Sequence, residues 1–233
     1  HKYDPEDYAR VRERMFDILV GGLAADGAAW APASVPLAEL AAGEGAEMSR
    51  ETFLLAATRL INSRGYRGAS VNKISEALNV TKGSFYHHNT DKDEPAVACF
   101  GATFDLIDQA KREAGKAESN WTRLWLAVTS LGMLQAEGAG ARLLRHHCMA
   151  AVPLAMRRQM LMRFLQTTNS FAGIIADGVA DGSIRPVDPM MAAHAMMVTF
   201  NACLPLEPRR RPVVTDGVME EYLRPALLGY FVK

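Results

Sequence analysis

The sequence predicts an all-α protein, and two observations carry that prediction. From Ser49 onward apolar residues recur at three- and four-residue spacing, and no stretch sustains the alternation with β-branched residues that a strand needs. Good N-capping hydroxyls, Ser49, Ser70 and Thr81, open three successive apolar stripes. The length of 233 residues, 49% apolar and 22% charged, suits one medium domain or two modest ones with a real core.

Several classes are excluded by composition. No apolar run approaches the ~18 residues of a membrane span. The start of the chain carries Asp4, Glu6, Asp7 and Arg10, which is no signal-peptide pattern. Three separated cysteines, Cys99, Cys148 and Cys203, read as reduced, buried thiols of a cytoplasmic protein. The chain opens on His1 rather than Met, as a segment of a longer protein or a product trimmed of a tag would. Net charge is zero, but it is unevenly spread. Residues 1–48 hold 4 Lys/Arg and 9 Asp/Glu, residues 49–92 hold 7 and 3, and residues 93–233 hold 15 and 14. A basic island inside a neutral chain is what a nucleic-acid contact requires.

Residues 5–23 read as an amphipathic helix, and 24–48, rich in Ala, Gly and Pro, as a linker or irregular segment. Ser49 then caps a helix with Phe53, Ala56, Ala57, Leu60 and Ile61 on one face, ended by Gly65. Ser70 caps a shorter helix whose inner face is Val71, Ile74, Ala77 and Leu78. Asn79 sits where a tight turn between crossed helices needs positive φ, which Asn accepts best among non-glycine residues. Thr81 caps a third helix. Val80 and Phe85 form a hydrophobic staple there, leaving Lys82, Gly83, Ser84, Tyr86 and His87 nearer the outside. Donors and small residues on a short helix with a positive N-terminal dipole suit phosphates and base edges, and Lys92 just beyond could hold a flanking phosphate.

Further helices are expected at 94–116, 120–137, 141–150, 153–180, 189–204 and 216–231. The 153–180 helix carries Leu161, Phe164, Leu165, Thr168, Phe171, Ala172, Ile175 and Val179 along one face, and Gly182 and Pro186 mark the loop after it.

Gly65-Tyr66, Ala69-Ser70-Val71, Ile74-Ser75, Ala77 to Val80, Thr81 to His88, and Lys92-Asp93 together resemble the TetR-family DNA-binding domain, over about Phe53 to Glu94. The stretch Asp181 to Pro186, with Asp188 starting another helix, is similar to the loop between that family's seventh and eighth helices. The resemblance implies a DNA-binding transcriptional regulator, by default a repressor. It would bind a near-palindromic double-stranded operator as a homodimer paired through the last two helices, about 189–204 and 216–231, and be released by a small-molecule effector. It places DNA contacts at Ser70, Thr81, Lys82, Gly83, Ser84, Tyr86, His87 and Lys92, with Ser84 and His87 as candidates for base edges. Three positions depart from the family pattern: Asn79 for the turn glycine, Asn89 for an aromatic, and Pro95 where leucine is common.

The implied architecture is a 1–45 extension, a three-helix helix-turn-helix domain over 46–93, and a helical-bundle regulatory and dimerisation domain over 94–233. Phe104, Trp121, Trp125, Met133, Met149, Phe164 and Phe171 are the candidates to line an effector pocket, although an aromatic stripe is more often plain core. Two alternative functions are weighed against the regulator. A protein-interaction module could retain the helix-turn-helix without meeting DNA. An enzyme has no support, for no GxSxG, Walker, HExxH or GxGxxG motif is present.

Other clusters read as structure. His146-His147-Cys148 point about 100° apart along a helix and cannot easily share a metal. Met190, His194 and Met197 lie on one face, better read as adaptable packing than as a soft-metal site; no metal or cofactor is expected. Arg209-Arg210-Arg211 between prolines reads as a solvated loop. The helix over 8–23, with Val11, Met15, Ile18, Leu19 and Leu23 on one face, is loosely similar to the final helix from Tyr222 to Tyr230. Either it closes a preceding regulator-like unit, or it is an arm packing on its own or a partner subunit.

Overall fold

The computed structural model describes residues 5–28, 30–31, 33–37, 50–65, 69–79, 94–136, 143–144, 152, 154–202, 217 and 219–230. Its helices are α1 (Pro5–Gly21), α2 (Arg50–Arg64), α3 (Val71–Ala77), α4 (Glu94–Ala114), α5 (Asn120–Ala136), α6 (Leu154–Asp181), α7 (Pro189–Ala202) and α8 (Arg224–Leu228), the last preceded by a π-helical turn over Met219–Leu223. Among the described residues no strand occurs; there is one isolated bridge, Ala24 to Ile184. The all-α reading holds, and most helix bounds fall within two residues of expectation. Of the expected helix over 141–150 only Leu143 and Leu144 are described, and neither is helical; the third helix of the motif and the 205–212 loop lie outside the described residues. The final helix differs: it is wider in its first turn. Pro225 has no N–H to donate back to Glu221, so the regular α-helical pattern cannot run through that point.

The chain forms two compact units. The first comprises His1–Val35, Ala110–Met133 and Gln166–Lys233. Its core includes Ile18, Leu23, Trp121, Leu124, Val128, Phe171, Ile175, Ile184, Met196, Leu223 and Leu227. The irregular segment after α1 is tied down by α5. Thr129 Oγ1 donates to the Ala33 carbonyl at 2.5 Å, and the Val35 N–H donates to Ser130 Oγ at 2.9 Å. Trp30 Nε1 donates to Glu220 at 3.1 Å.

Arg185 fixes the end of α1. Its guanidinium donates to the carbonyls of Gly22 (2.7 Å) and Asp17 (2.8 Å) and pairs with the Asp17 carboxylate (2.9 Å). Those carbonyls belong to a helix C-terminus, where an arginine meets both unsatisfied acceptors and the negative end of the dipole. Further along, Asp188 caps α7 by accepting from the Met190 and Met191 N–H groups, and pairs with Arg14 of α1 at 2.6 Å. Partial burial pushes the Asp188 carboxyl up, but the Met191 hydrogen bond and Arg14 outweigh it and hold it below its ordinary value. Asp181 binds the loop to the start of α5. It accepts from Asn120 Nδ2 (2.7 Å) and the Ser183 N–H (2.8 Å), while Ser183 Oγ accepts from the Trp121 N–H (3.1 Å).

The second unit comprises Pro36–Gln109 and Leu134–Leu165. Phe53, Ala57 and Ile61 of α2 are buried, as is Ile74 of α3; Ala56 and Leu60 are half-buried. The short stretch Leu143-Leu144 is buried between polar anchors. Asn62 Nδ2 donates to the Leu143 carbonyl at 2.9 Å, and the Leu144 N–H donates to Thr103 Oγ1 at 2.8 Å. Cys99 is free and fully buried, and burial pushes its thiol up to about 11, so it is inert at neutral pH.

Three expectations about faces need correction. In α3 the buried partner of Ile74 is Ser75, and Ala77 is exposed. In α6 Leu161 and Leu165 are exposed, and the buried stripe runs through Met160, Thr167, Thr168, Phe171, Ala172 and Ile175. In α7 the row Met190, His194, Met197 splits. Met197 is buried near the end of the helix, and the first two are exposed.

Two outcomes follow from the clamps. Arg185→Ala should cost on the order of 2 kcal/mol in urea unfolding, because it strands acceptors at the end of α1; a loss within error would show that water replaces the guanidinium fully. Asp181 hydrogen bonds lower its carboxyl from the ordinary 3.8 to about 2. A depressed carboxylate stabilises the fold above the unfolded value and loses that contribution as pH falls through the folded one. The melting-temperature gap between wild type and Asp181→Asn should therefore be full at pH 5 and shrink as pH approaches 2.

Candidate nucleic-acid interface

The first two helices of the motif and the turn after them are described. Ser70 takes the N-cap of α3 with extended backbone (φ −74°, ψ 155°), and its hydroxyl accepts from the Lys73 N–H at 3.4 Å. The side chain stays exposed, so its O–H remains able to donate outward. α3 packs on α2 and ends at Leu78, whose N–H donates to the Ile74 carbonyl. Asn79 follows with φ 54°, the one positive-φ non-glycine residue among those described. The turn therefore takes the left-handed geometry that its sequence position demands, with Asn in place of Gly.

Basic side chains on this unit point to solvent: Arg59 and Arg64 on α2, and Lys73 on α3, are all exposed. Ser70 is thus placed on an exposed helix start beside exposed cations. The other expected DNA contacts, Thr81, Lys82, Gly83, Ser84, Tyr86, His87 and Lys92, lie outside the described residues, as does the Val80–Phe85 staple.

The expected effector-pocket residues divide between the units. Trp121, Trp125, Met133 and Phe171 fall in the first, Phe104 and Phe164 in the second, and Met149 lies outside the described residues. Trp121, Trp125, Phe104 and Phe171 are buried. Two of the rings are met by cations. Lys111 Nζ stands 5.6 Å from the Phe171 centroid and donates to Ser170 Oγ; the Arg163 guanidinium stands 5.5 Å from the Phe104 centroid and faces Asp105 and Asp108 at 3.6 and 3.5 Å. Sequence reasoning missed these cations, which are 55 or more positions from the rings and side chains they meet. It also missed Arg185, whose partners are 163 and 168 positions away.

Residues 53–98 match the family model described as bacterial regulatory proteins, tetR family. Residues 53–98 are thus similar to the segment that defines the tetR family. The matched segment begins at the first buried residue of α2 and runs into α4, bracketing the turn at Asn79. The Transposon Tn10 TetC protein of Escherichia coli is 30% identical over 82 residues, which cover 32% of this chain and 42% of that relative; the chain thus spans less than half the length of this curated relative. Among solved structures, AibR in complex with isovaleryl coenzyme A and operator DNA is similar over 76% of this chain and 97% of its own, at 22% identity and a TM-score of 0.62. The ketosteroid transcriptional regulator KstR2 of Mycobacterium tuberculosis matches 78% of this chain and 95% of its own, at 19% identity and a TM-score of 0.61. The tetR-family regulator PfmR from Thermus thermophilus matches 76% and 98%, at 18% identity and 0.60. At these identities the likeness is one of fold. The matched model describes regulatory proteins.

The turn geometry makes a direct prediction. Asn79→Gly should leave stability within a few tenths of a kcal/mol of wild type, and Asn79→Val should cost about 1–2 kcal/mol, because a β-branched residue resists positive φ. Ser70→Ala should cost about 1 kcal/mol through the lost cap. Chemical unfolding followed by circular dichroism reads all three; an unperturbed Asn79→Val would contradict the turn.

Proposed function

We propose that this protein is a transcriptional regulator, by default a repressor, that grips a near-palindromic double-stranded operator. Two recognition helices, paired through the closing helices, would occupy successive major grooves, and a small-molecule effector would release the DNA. The observation that carries this reading is the tetR-type segment itself: a capped α3, the positive-φ turn at Asn79, and exposed Arg59, Arg64 and Lys73 on the same unit. Its basic composition supports the same reading, with 7 Lys/Arg against 3 Asp/Glu over residues 49–92.

In this reading Thr81, Lys82, Gly83, Tyr86 and Lys92 meet the phosphate backbone together with Ser70, and Ser84 and His87 reach base edges. The candidates for the effector's apolar surface are Trp121, Trp125, Met133 and Phe171 within the first unit, and Phe104 and Phe164 within the second; Met149 is a further candidate. AibR, bound to both an acyl-coenzyme A and operator DNA, supports a fold that serves two ligands. The effector acts by differential affinity: it prefers one spacing of the two recognition helices, and so lowers operator affinity by the same factor as the operator lowers its own. The protein works where bacterial DNA is, in the cytoplasm.

The test is binding to genomic fragments by fluorescence anisotropy, with the tightest fragment taken through a salt series. Affinity should fall by orders of magnitude between low and physiological salt. Lys82→Ala should weaken binding to all sequences and reduce the salt slope by about 1. Lys82→Ala/Tyr86→Ala should lose most of the affinity. If no fragment is bound above background at low salt, the regulator reading fails.

A further inference from the structure

α1 and α8 treat each other almost alike. α1 ends at Gly21 and is followed by Gly22 at φ 65°; α8 ends at Leu228 and is followed by Gly229 at φ 95°. A Cβ on Gly22 would fall 2.2 Å from the Leu228 carbonyl carbon, and a Cβ on Gly229 would fall 2.3 Å from the Val20 carbonyl oxygen. The amide after each glycine then crosses to the other helix. Leu23 N–H donates to the Leu227 carbonyl at 2.7 Å, and Tyr230 N–H donates to the Leu19 carbonyl at 3.0 Å. Each helix end thus lays its glycine on the other's last turn and gives its next amide to that turn. Such reciprocity has the form of an isologous two-fold contact, which ordinarily joins the same surface of two subunits. Here both halves lie in one chain.

α1 also carries more apolar surface than this unit uses. Val11, Met15 and Ile18 turn inward, half-buried or buried. Tyr8, Phe16 and Leu19, within about 80° of one another around the helix, are 60, 67 and 42% exposed. A helix that served only this core would carry polar residues there. On α7, which also packs against α1, Met190 and Val198 are 41 and 68% exposed. The chain therefore presents a second apolar face on α1 and another on α7, beyond the contact already made.

We propose that α1 is the closing helix of a second helical regulatory unit, carried ahead of this one on the same polypeptide. The two-fold pairing of closing helices is then made between two unlike units of one chain, and the partner of the α7–α8 face is that joined unit rather than a second copy. This deepens the regulator reading by naming its partner, and rests on that reading only for the operator it would serve. Tyr8, Phe16 and Leu19 face the core of the joined unit, and Met190 and Val198 receive its remaining closing element.

Intact-mass measurement of the native gene product tests this. The expected product is well above 25.5 kDa, with a helical unit of its own preceding residue 1. A mature chain that starts at or near His1 overturns the proposal. A second measurement uses the 233-residue chain itself. Phe16→Glu/Leu19→Lys should leave its melting temperature unchanged and reduce its binding of a hydrophobic dye. A drop of several degrees would show that the face belongs to this unit's own fold and overturn the proposal. Both readouts are taken without DNA. A product that lacks operator binding but has the extra unit defeats the regulator reading alone, and a homodimer of His1-initiated chains that binds operator defeats this one alone.

Discussion

Two backbones approach at Gly22 and Gly229 more closely than any side chain permits, and the organisation of the first unit depends on that approach. A Cβ at either position would overlap backbone atoms of the other helix, and backbone cannot move aside as the end of a flexible side chain can. Once the glycines are seated, the cross-amides from Leu23 and Tyr230 follow, and the end of α1 is in place for Arg185 to cap. The Arg185 N–H donates to the Leu23 carbonyl, which forms the bridge at Ala24 and Ile184. Ile184, in turn, fits against Gly178 of α6. One close crossing thus links residues from the first helix, the 181–186 loop and the last helix.

The second unit depends on a local constraint instead. The described part of its motif ends on one residue at positive φ, Asn79, directly after a capped α3. That turn decides the angle at which a recognition helix would leave, and so the depth at which Lys82, Ser84 and His87 would stand in a groove. In the proposed regulator the exposed cations on α2 and α3 would supply a general attraction to phosphate, and the turn the orientation that turns attraction into register.

Much of this was legible in the sequence, for a physical reason. Helix starts and stops are local events, so Ser70, Gly65, Asn79 and Asp188 could be read from one or a few neighbours. The all-α class followed from periodicity. What was not legible depends on residues far apart in the chain. Nothing near Arg185 announces that it will cap a helix more than 160 residues earlier, and nothing near Phe104 announces Arg163. The faces of α3 and α6 were misread for a related reason. Apolar periodicity says which residues could be buried, and packing partners decide which are, so Leu161 and Leu165 stand exposed while the small hydroxyl of Ser75 goes in. Pro225 was visible, but its consequence, a wide π turn just before it, needed the carbonyl it fails to reach.

Hydroxyl-radical footprinting on the tightest-binding genomic fragment tests the central claim most directly, because it reads groove and spacing at once. Two protected patches are expected on one face of the duplex, related by near-palindromic sequence and separated by about 10–10.5 base pairs or a multiple of it, one per recognition helix. Protection without that spacing, or none on a fragment that the protein shifts, would contradict it.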